Sequence, residues 1–128
     1  MKKFIALVAT AVLVASAYAG QWADISIPEL KTAIAEKKVT IFDVNGTDSF
    51  KAGHIPGAID FVAAKGDIAK SLPSDKSALV VAYCGGPSCG AYAAAAKKAT
   101  ELGYTNVKHL PAGISGWKEA GEPTEAAK

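Results

Sequence analysis

Tyr83-Cys84-Gly85-Gly86-Pro87-Ser88-Cys89-Gly90 is the stretch whose reading decides the fold. Before it runs Ala78-Leu79-Val80-Val81-Ala82, apolar and β-branched, with the length of a buried strand. After it comes an alanine-rich segment, Ala91 to Leu102, which predicts a helix. The stretch is therefore a glycine-rich loop between a strand end and a helix start. Glycines there let backbone N–H groups turn toward one point. The helix N-terminus adds partial positive charge. Both effects favour a thiolate at Cys84, the reactive form of cysteine. The expectation is an unusually acidic, accessible, anion-tolerant thiol.

Working outward, Val39-Thr40-Ile41-Phe42-Asp43-Val44 reads as a second strand, nearly continuous in apolar character and suited to the middle of a parallel sheet. Asn45-Gly46-Thr47 is a turn, and Asp48 to Ala52 gives one helical turn. Gly53-His54-Ile55-Pro56-Gly57-Ala58 is a rigid loop. Ile59 to Val62 reads as a short strand and Ala64 to Ser71 as a weak helix. Upstream, Ser26 and Glu29 form a capping box with Pro28 in the first turn of a helix ending near Lys37. Trp22 and Ile25 precede it on a short edge strand. Downstream, Gly103 ends the alanine-rich helix as a C′ glycine. Asn106 to Leu110 is the last strand, and Ala112 to Trp117 leads into a terminal helix. The tail from Gly121 to Lys128 is small and polar, which predicts fraying. Strands alternating with helices predict an α/β fold: a mostly parallel central sheet with helices on both faces. Ligands in such sheets sit at the carboxyl ends of strands, where Cys84 falls.

The first nineteen residues predict a signal peptide. Lys2 and Lys3 are basic, Phe4 to Ala15 is apolar, and Ala17-Tyr18-Ala19 is a cleavage site. The apolar run falls short of the roughly 20 residues of a membrane span. One domain over residues 20–128, exported to the periplasm or secreted, is the expectation. The formal net charge of +2 is matched by the two leader lysines, and nothing signals nucleic-acid binding. All 14 basic residues are lysine; arginine is absent. The two cysteines, Cys84 and Cys89, would form a disulfide in an oxidising compartment on the simplest account. A staple closing so short a loop contributes little, so the pair reads as reactive rather than purely structural. Cysteines and histidines show no zinc spacing, and no cofactor is implied.

Three segments between Val39 and Pro123 together resemble single-domain members of the rhodanese-like sulfurtransferase family. The first is Ile41-Phe42-Asp43-Val44-Asn45 with Phe50-Lys51-Ala52-Gly53-His54-Ile55-Pro56-Gly57-Ala58. The second is Val80-Val81-Ala82-Tyr83-Cys84 with its loop and helix. The third is Gly113-Ile114-Ser115-Gly116-Trp117 with Gly121-Glu122-Pro123. The resemblance implies a rhodanese-like fold and a mechanism. Cys84 would take the outer sulfur of a donor such as thiosulfate or polysulfide as a persulfide. It would then pass that sulfur to a thiol or cyanide-like acceptor. The N–H groups of Gly85, Gly86, Ser88, Cys89 and Gly90 would cradle the persulfide, and Pro87, lacking N–H, would leave a gap.

Two residues depart from the family pattern. Asn45 stands where an arginine is common, and Cys89 where many active members carry another arginine. Related folds that dephosphorylate proteins need an arginine at the position of Gly90, which excludes that chemistry here. Cys89 could instead act as a resolving thiol, attacking the Cys84 persulfide and leaving a disulfide. A sulfur-carrying or redox-sensing module, and a thiol–disulfide partner using the Cys84/Cys89 pair, are the alternatives. Asp43 and His54 read as supports: a strand-end carboxylate accepting loop N–H bonds and a histidine bonded into its loop. His109 reads as strand surface, Trp22 and Trp117 as packing. Ser88 could bond substrate or merely satisfy the loop.

Overall fold

The computed structural model describes residues 22–65 and 67–126; the expected signal peptide lies outside the described residues. Five strands form one sheet: β1 (Ala23–Asp24), β2 (Val39–Asp43), β3 (Ile59–Asp60), β4 (Leu79–Tyr83) and β5 (Asn106–His109). Their order is β1-β5-β4-β2-β3, and every pairing is parallel. β4, the strand that feeds the cysteine loop, is central, and Val80, Val81, Ala82 and Tyr83 are all buried. A strand covered on both faces has no polar side to alternate with, which is why it reads as a continuous apolar run.

Among the described residues four α-helices connect the strands, α1 (Ile27–Ala35), α2 (Thr47–Ala52), α3 (Phe61–Ala64) and α4 (Tyr92–Glu101), and a fifth, α5 (Gly113–Glu119), follows β5. The capping box forms as expected: the Glu29 N–H donates to Ser26 Oγ at 3.2 Å and the Ser26 N–H to Glu29 Oε1 at 2.9 Å. One face of the sheet buries Ile41, Val81 and Tyr83 with Leu30 of α1 and Trp117 of α5. The other buries Phe42, Val80, Ala82 and Val107 against Ala95, Ala96 and Ala99 of α4. Alanine at three successive inward positions lets α4 lie close on the sheet. Gly103 ends α4 in a left-handed conformation, φ +100°. The Tyr104 N–H bonds Ala99 O at 3.1 Å and the Gly103 N–H bonds Thr100 O at 3.0 Å, closing the helix end in a Schellman motif.

Three local expectations change. The strand expected over Ile59 to Val62 stops at Asp60, because the Asp60 side chain accepts from the Ala63 N–H at 3.1 Å and starts α3 instead. The helix expected over Ala64 to Ser71 is the end of α3 plus a 3₁₀ turn over Ala69–Ser71. The tail is not frayed through Glu125, which exchanges two main-chain bonds of 2.9 Å with His54. Trp117 Nε1 donates to Pro123 O at 2.7 Å, and Lys31 pairs with Glu122 at 3.0 Å. His54 and Lys31 lie far from the tail in sequence, so local composition carries no sign of those contacts. Among the described residues no helix is long and apolar enough to cross a membrane.

Candidate active site

The site is built from the ends of β2 and β4. Asp43 and Tyr83 are register partners, and the Val44 N–H extends the pairing by donating to Tyr83 O at 2.9 Å. The following turns therefore emerge side by side. Asn45 Oδ1 lies 3.7 Å from the point a Cβ on Gly85 would occupy.

Asp43 is 1% exposed. One carboxylate oxygen accepts from the Asn45 N–H at 2.8 Å and the other from the Tyr83 hydroxyl at 2.6 Å. The same hydroxyl accepts from the Ile55 N–H at 3.1 Å. Burial, then the bond to Asp43, drives the Tyr83 phenol far above its ordinary value, so it remains a protonated donor. This buried chain ties the β2 turn, the β4 end and the Gly53–Ala58 loop together. Asp43 thus ends its strand and accepts an N–H of the following turn.

From the opposite side, α5 clamps the start of the loop. The Ile114 N–H donates to Cys84 O at 2.9 Å and the Ser115 N–H to Gly85 O at 3.0 Å. Gly113, at φ +61°, is the residue that permits this approach. A Cβ there would stand 2.6 Å from Cys84 O, Gly85 C and Gly86 N. The loop then turns, with the Cys89 N–H bonded to Gly86 O at 3.1 Å and Pro87 at the turn position that its fixed φ suits.

Cys84 is joined to Cys89 by a disulfide, with Cα atoms 6.3 Å apart. Cys84 is only 1% exposed. The accessible thiolate expected at Cys84 is thus absent from this state: its sulfur is bonded to Cys89 and covered. The expected cradle also loses a member, since the Cys89 N–H is committed to the turn. Among the described residues the N–H groups of Gly85, Gly86, Ser88 and Gly90 have no protein acceptor. Ser88 and Gly90 are exposed, and Cys89 is half-buried. Gly85, Gly86 and Gly90 all avoid the left-handed region. None is crowded within 3.4 Å by a neighbour that would bar a side chain. The conformational freedom of these three glycines is unused here.

His54 is 6% exposed and stacks on Phe50 with ring centroids 3.7 Å apart. Nδ1 lies 2.7 Å from Phe50 O and Nε2 3.8 Å from Glu125 Oε1. One nitrogen faces the end of α2 and the other the tail.

His109 is not surface. It is 8% exposed and stacks on Tyr92, the first residue of α4, at 3.5 Å. Its Nδ1 stands 3.8 Å from Asp24 Oδ1. Its Nε2 is buried without a partner. Burial holds the imidazole below its ordinary value, with Asp24 opposing. The missed signal was strand alternation: His109 shares the face of Val107, which packs on α4. Trp22 completes this corner, edge-on to Tyr92 and donating Nε1 to Thr100 Oγ1 at 3.0 Å. Among the described residues no three potential ligands gather to hold a metal ion.

Comparison with known proteins places this geometry. The rhodanese-like domain family matches residues 26–120. A helix-turn-helix type transcriptional regulator of Mycobacterium tuberculosis, Rv0324, is 37% identical over 89 residues, covering 69% of this chain and 38% of the regulator. The chain thus spans well under half the length of that relative. The rhodanese-like domain of an Anabaena protein superposes with a TM-score of 0.65 at 26% identity, covering 84% of this chain and 81% of that one. The human single-domain sulfurtransferase TSTD1 gives 0.61 at 24% identity, covering 77% of this chain and 97% of its own, a likeness of fold.

Proposed function

This chain belongs to the rhodanese-like domain family, and on that premise we propose that it is an exported sulfurtransferase working through a Cys84 persulfide. The observation that carries the reading is the position of Cys84, at the carboxyl end of the central strand, opening a loop in which four N–H groups have no protein acceptor among the described residues. Those donors suit a sulfur that carries negative charge.

The oxidised state is the resting form in this reading. A small-molecule or protein dithiol reduces the Cys84–Cys89 bond, itself becoming a disulfide. The Cys84 thiolate then attacks the outer sulfur of the donor; with thiosulfate, sulfite leaves with the electron pair of the broken S–S bond. The persulfide passes its outer sulfur to a thiolate or cyanide and regenerates the thiolate. Where no acceptor arrives, the Cys89 thiolate attacks the inner sulfur, hydrosulfide leaves, and the disulfide returns. The leader and the oxidised pair both suit an oxidising compartment.

The disulfide itself favours a second reading, a thiol–disulfide exchange partner that carries no sulfur. Intact mass separates the two. Reduced Cys89→Ser protein, which cannot resolve the persulfide, gains one sulfur from thiosulfate or polysulfide under the first reading and forms thiocyanate when cyanide is added. Under the second the Cys89→Ser protein gains no sulfur and forms no thiocyanate. Cys84→Ser abolishes sulfur loading, whereas Cys89→Ser loads normally and no longer releases sulfide without an acceptor. A Cys84→Ser protein that still loaded sulfur would end the proposal.

A further inference from the structure

We propose that Asn45 reads the sulfur donor, and that the donor bears its transferable sulfur on a thiol or a polysulfide chain rather than on a sulfonate. This rests on the sulfurtransferase reading above. Three observations on the same few residues carry it.

First, Asn45 lies beside the start of the cysteine loop. It follows β2 as Gly85 follows β4, and its Oδ1 is 3.7 Å from the Gly85 Cβ position. Its own N–H is fixed on Asp43 at 2.8 Å, so the buried Asp43–Tyr83 pair sets where the side chain starts. Second, its Nδ2 is buried and has no acceptor. A buried amide without a partner is costly, and a native chain keeps one where another state or a ligand supplies the acceptor. Gly85, Gly86 and Gly90 hold conformational freedom that the oxidised loop does not use. Once the disulfide is reduced, that freedom lets the loop lift from Asn45 and turns Nδ2 toward a sulfur on Cys84.

Third, charge decides the class of donor. Gly85, Gly86, Ala112 and Ser115, which meet at this corner, are uncharged, the charged group bonded to Asn45 is the Asp43 carboxylate, and the chain contains no arginine. A sulfonate carries three oxygens and calls for a fixed cation or a planar fork of donors. One carboxamide meets a single sulfur anion instead. A hydropersulfide or a short polysulfide presents that.

Reduced protein is assayed for sulfur transfer to cyanide with glutathione hydropersulfide and, separately, with thiosulfate. Unaltered protein is expected to show a kcat/KM at least about tenfold higher with the hydropersulfide, the scale of one charge-assisted hydrogen bond. Asn45→Ala raises KM for the hydropersulfide about tenfold with kcat little changed, the pattern of a lost binding contact. Asn45→Asp keeps the shape, replaces the donor by an anion and loses more. Asn45→Arg shifts the ratio of the two donors toward thiosulfate. Matching thermal midpoints establish that the variants fold. A donor ratio and KM unchanged across all three variants, in an active protein, overturns the assignment of Asn45 alone. An unaltered protein that prefers thiosulfate overturns the donor class. Protein that loads sulfur from neither donor brings down the sulfurtransferase reading, and the role of Asn45 with it.

Discussion

Two pairs of residues with buried polar atoms sit along the carboxyl edge of the same sheet, and they are treated oppositely. Asp43 and Tyr83 are saturated: two donors reach the carboxylate, and the phenol both donates and accepts. Asn45 and His109 each keep a buried nitrogen with no partner among the described residues. The first pair binds three chain segments into one rigid platform. The second flanks the strands that frame the cysteine loop. A scaffold gains from completing every hydrogen bond, while a site that must accept a ligand or a second loop conformation cannot complete them in advance. The disulfide marks the same boundary, since it covers the sulfur on which the proposed chemistry depends.

That contrast can be broken or sharpened by substitution, starting with the clamp that joins the halves. Gly113→Ala places a methyl group 2.6 Å from three main-chain atoms of the loop at a left-handed φ. Neither side can yield cheaply. A loss of about 3 kcal/mol is expected, combining the left-handed penalty with overpacking, read from the shift of the urea midpoint in the oxidised protein.

Next comes the saturated pair. Tyr83→Phe leaves an Asp43 oxygen and the Ile55 N–H without a partner inside the protein. The expected cost is about 2 kcal/mol, again from urea unfolding. A Tyr83→Phe protein as stable as its parent would mean that the platform is not held by this network.

His109 gives a smaller effect, visible only through pH. Burial depresses its value in the folded protein below the 6.5 of the free side chain, with Asp24 pulling the other way. The unfolded chain therefore takes up a proton that the folded chain resists. Its contribution is fully present above about pH 6.5 and is lost as the pH falls toward the folded value. Thermal midpoints measured from about pH 7.5 to about pH 5.5 are expected to fall less steeply in His109→Gln than in the parent. Identical slopes would contradict this.

The smallest effect belongs to Asn45. Asn45→Ala deletes an unpartnered donor rather than a bond, so stability stays within about 0.5 kcal/mol of the parent. Placed beside Tyr83→Phe, it tests the contrast directly: two buried polar side chains near one site, one costly to truncate and one nearly free.

The chain order of strands and helices, the parallel sheet and the place of Cys84 were legible without coordinates. Each rests on local signals: apolar runs of strand length, the Ser26/Glu29 cap, and Gly103 past the end of α4. The bond from the Asn45 N–H to Asp43 was legible too, because a carboxylate at a strand end beside a tight turn has few alternatives. Tertiary packing alone decided the rest. It covered His109 with Tyr92, pinned Glu125 to His54, held the loop against Gly113 and left Asn45 Nδ2 without a partner. In each case the deciding neighbour is remote in sequence. Residue type and periodicity report which way a chain segment prefers to lie. Which polar atoms end up satisfied depends on what the remaining segments bring against them.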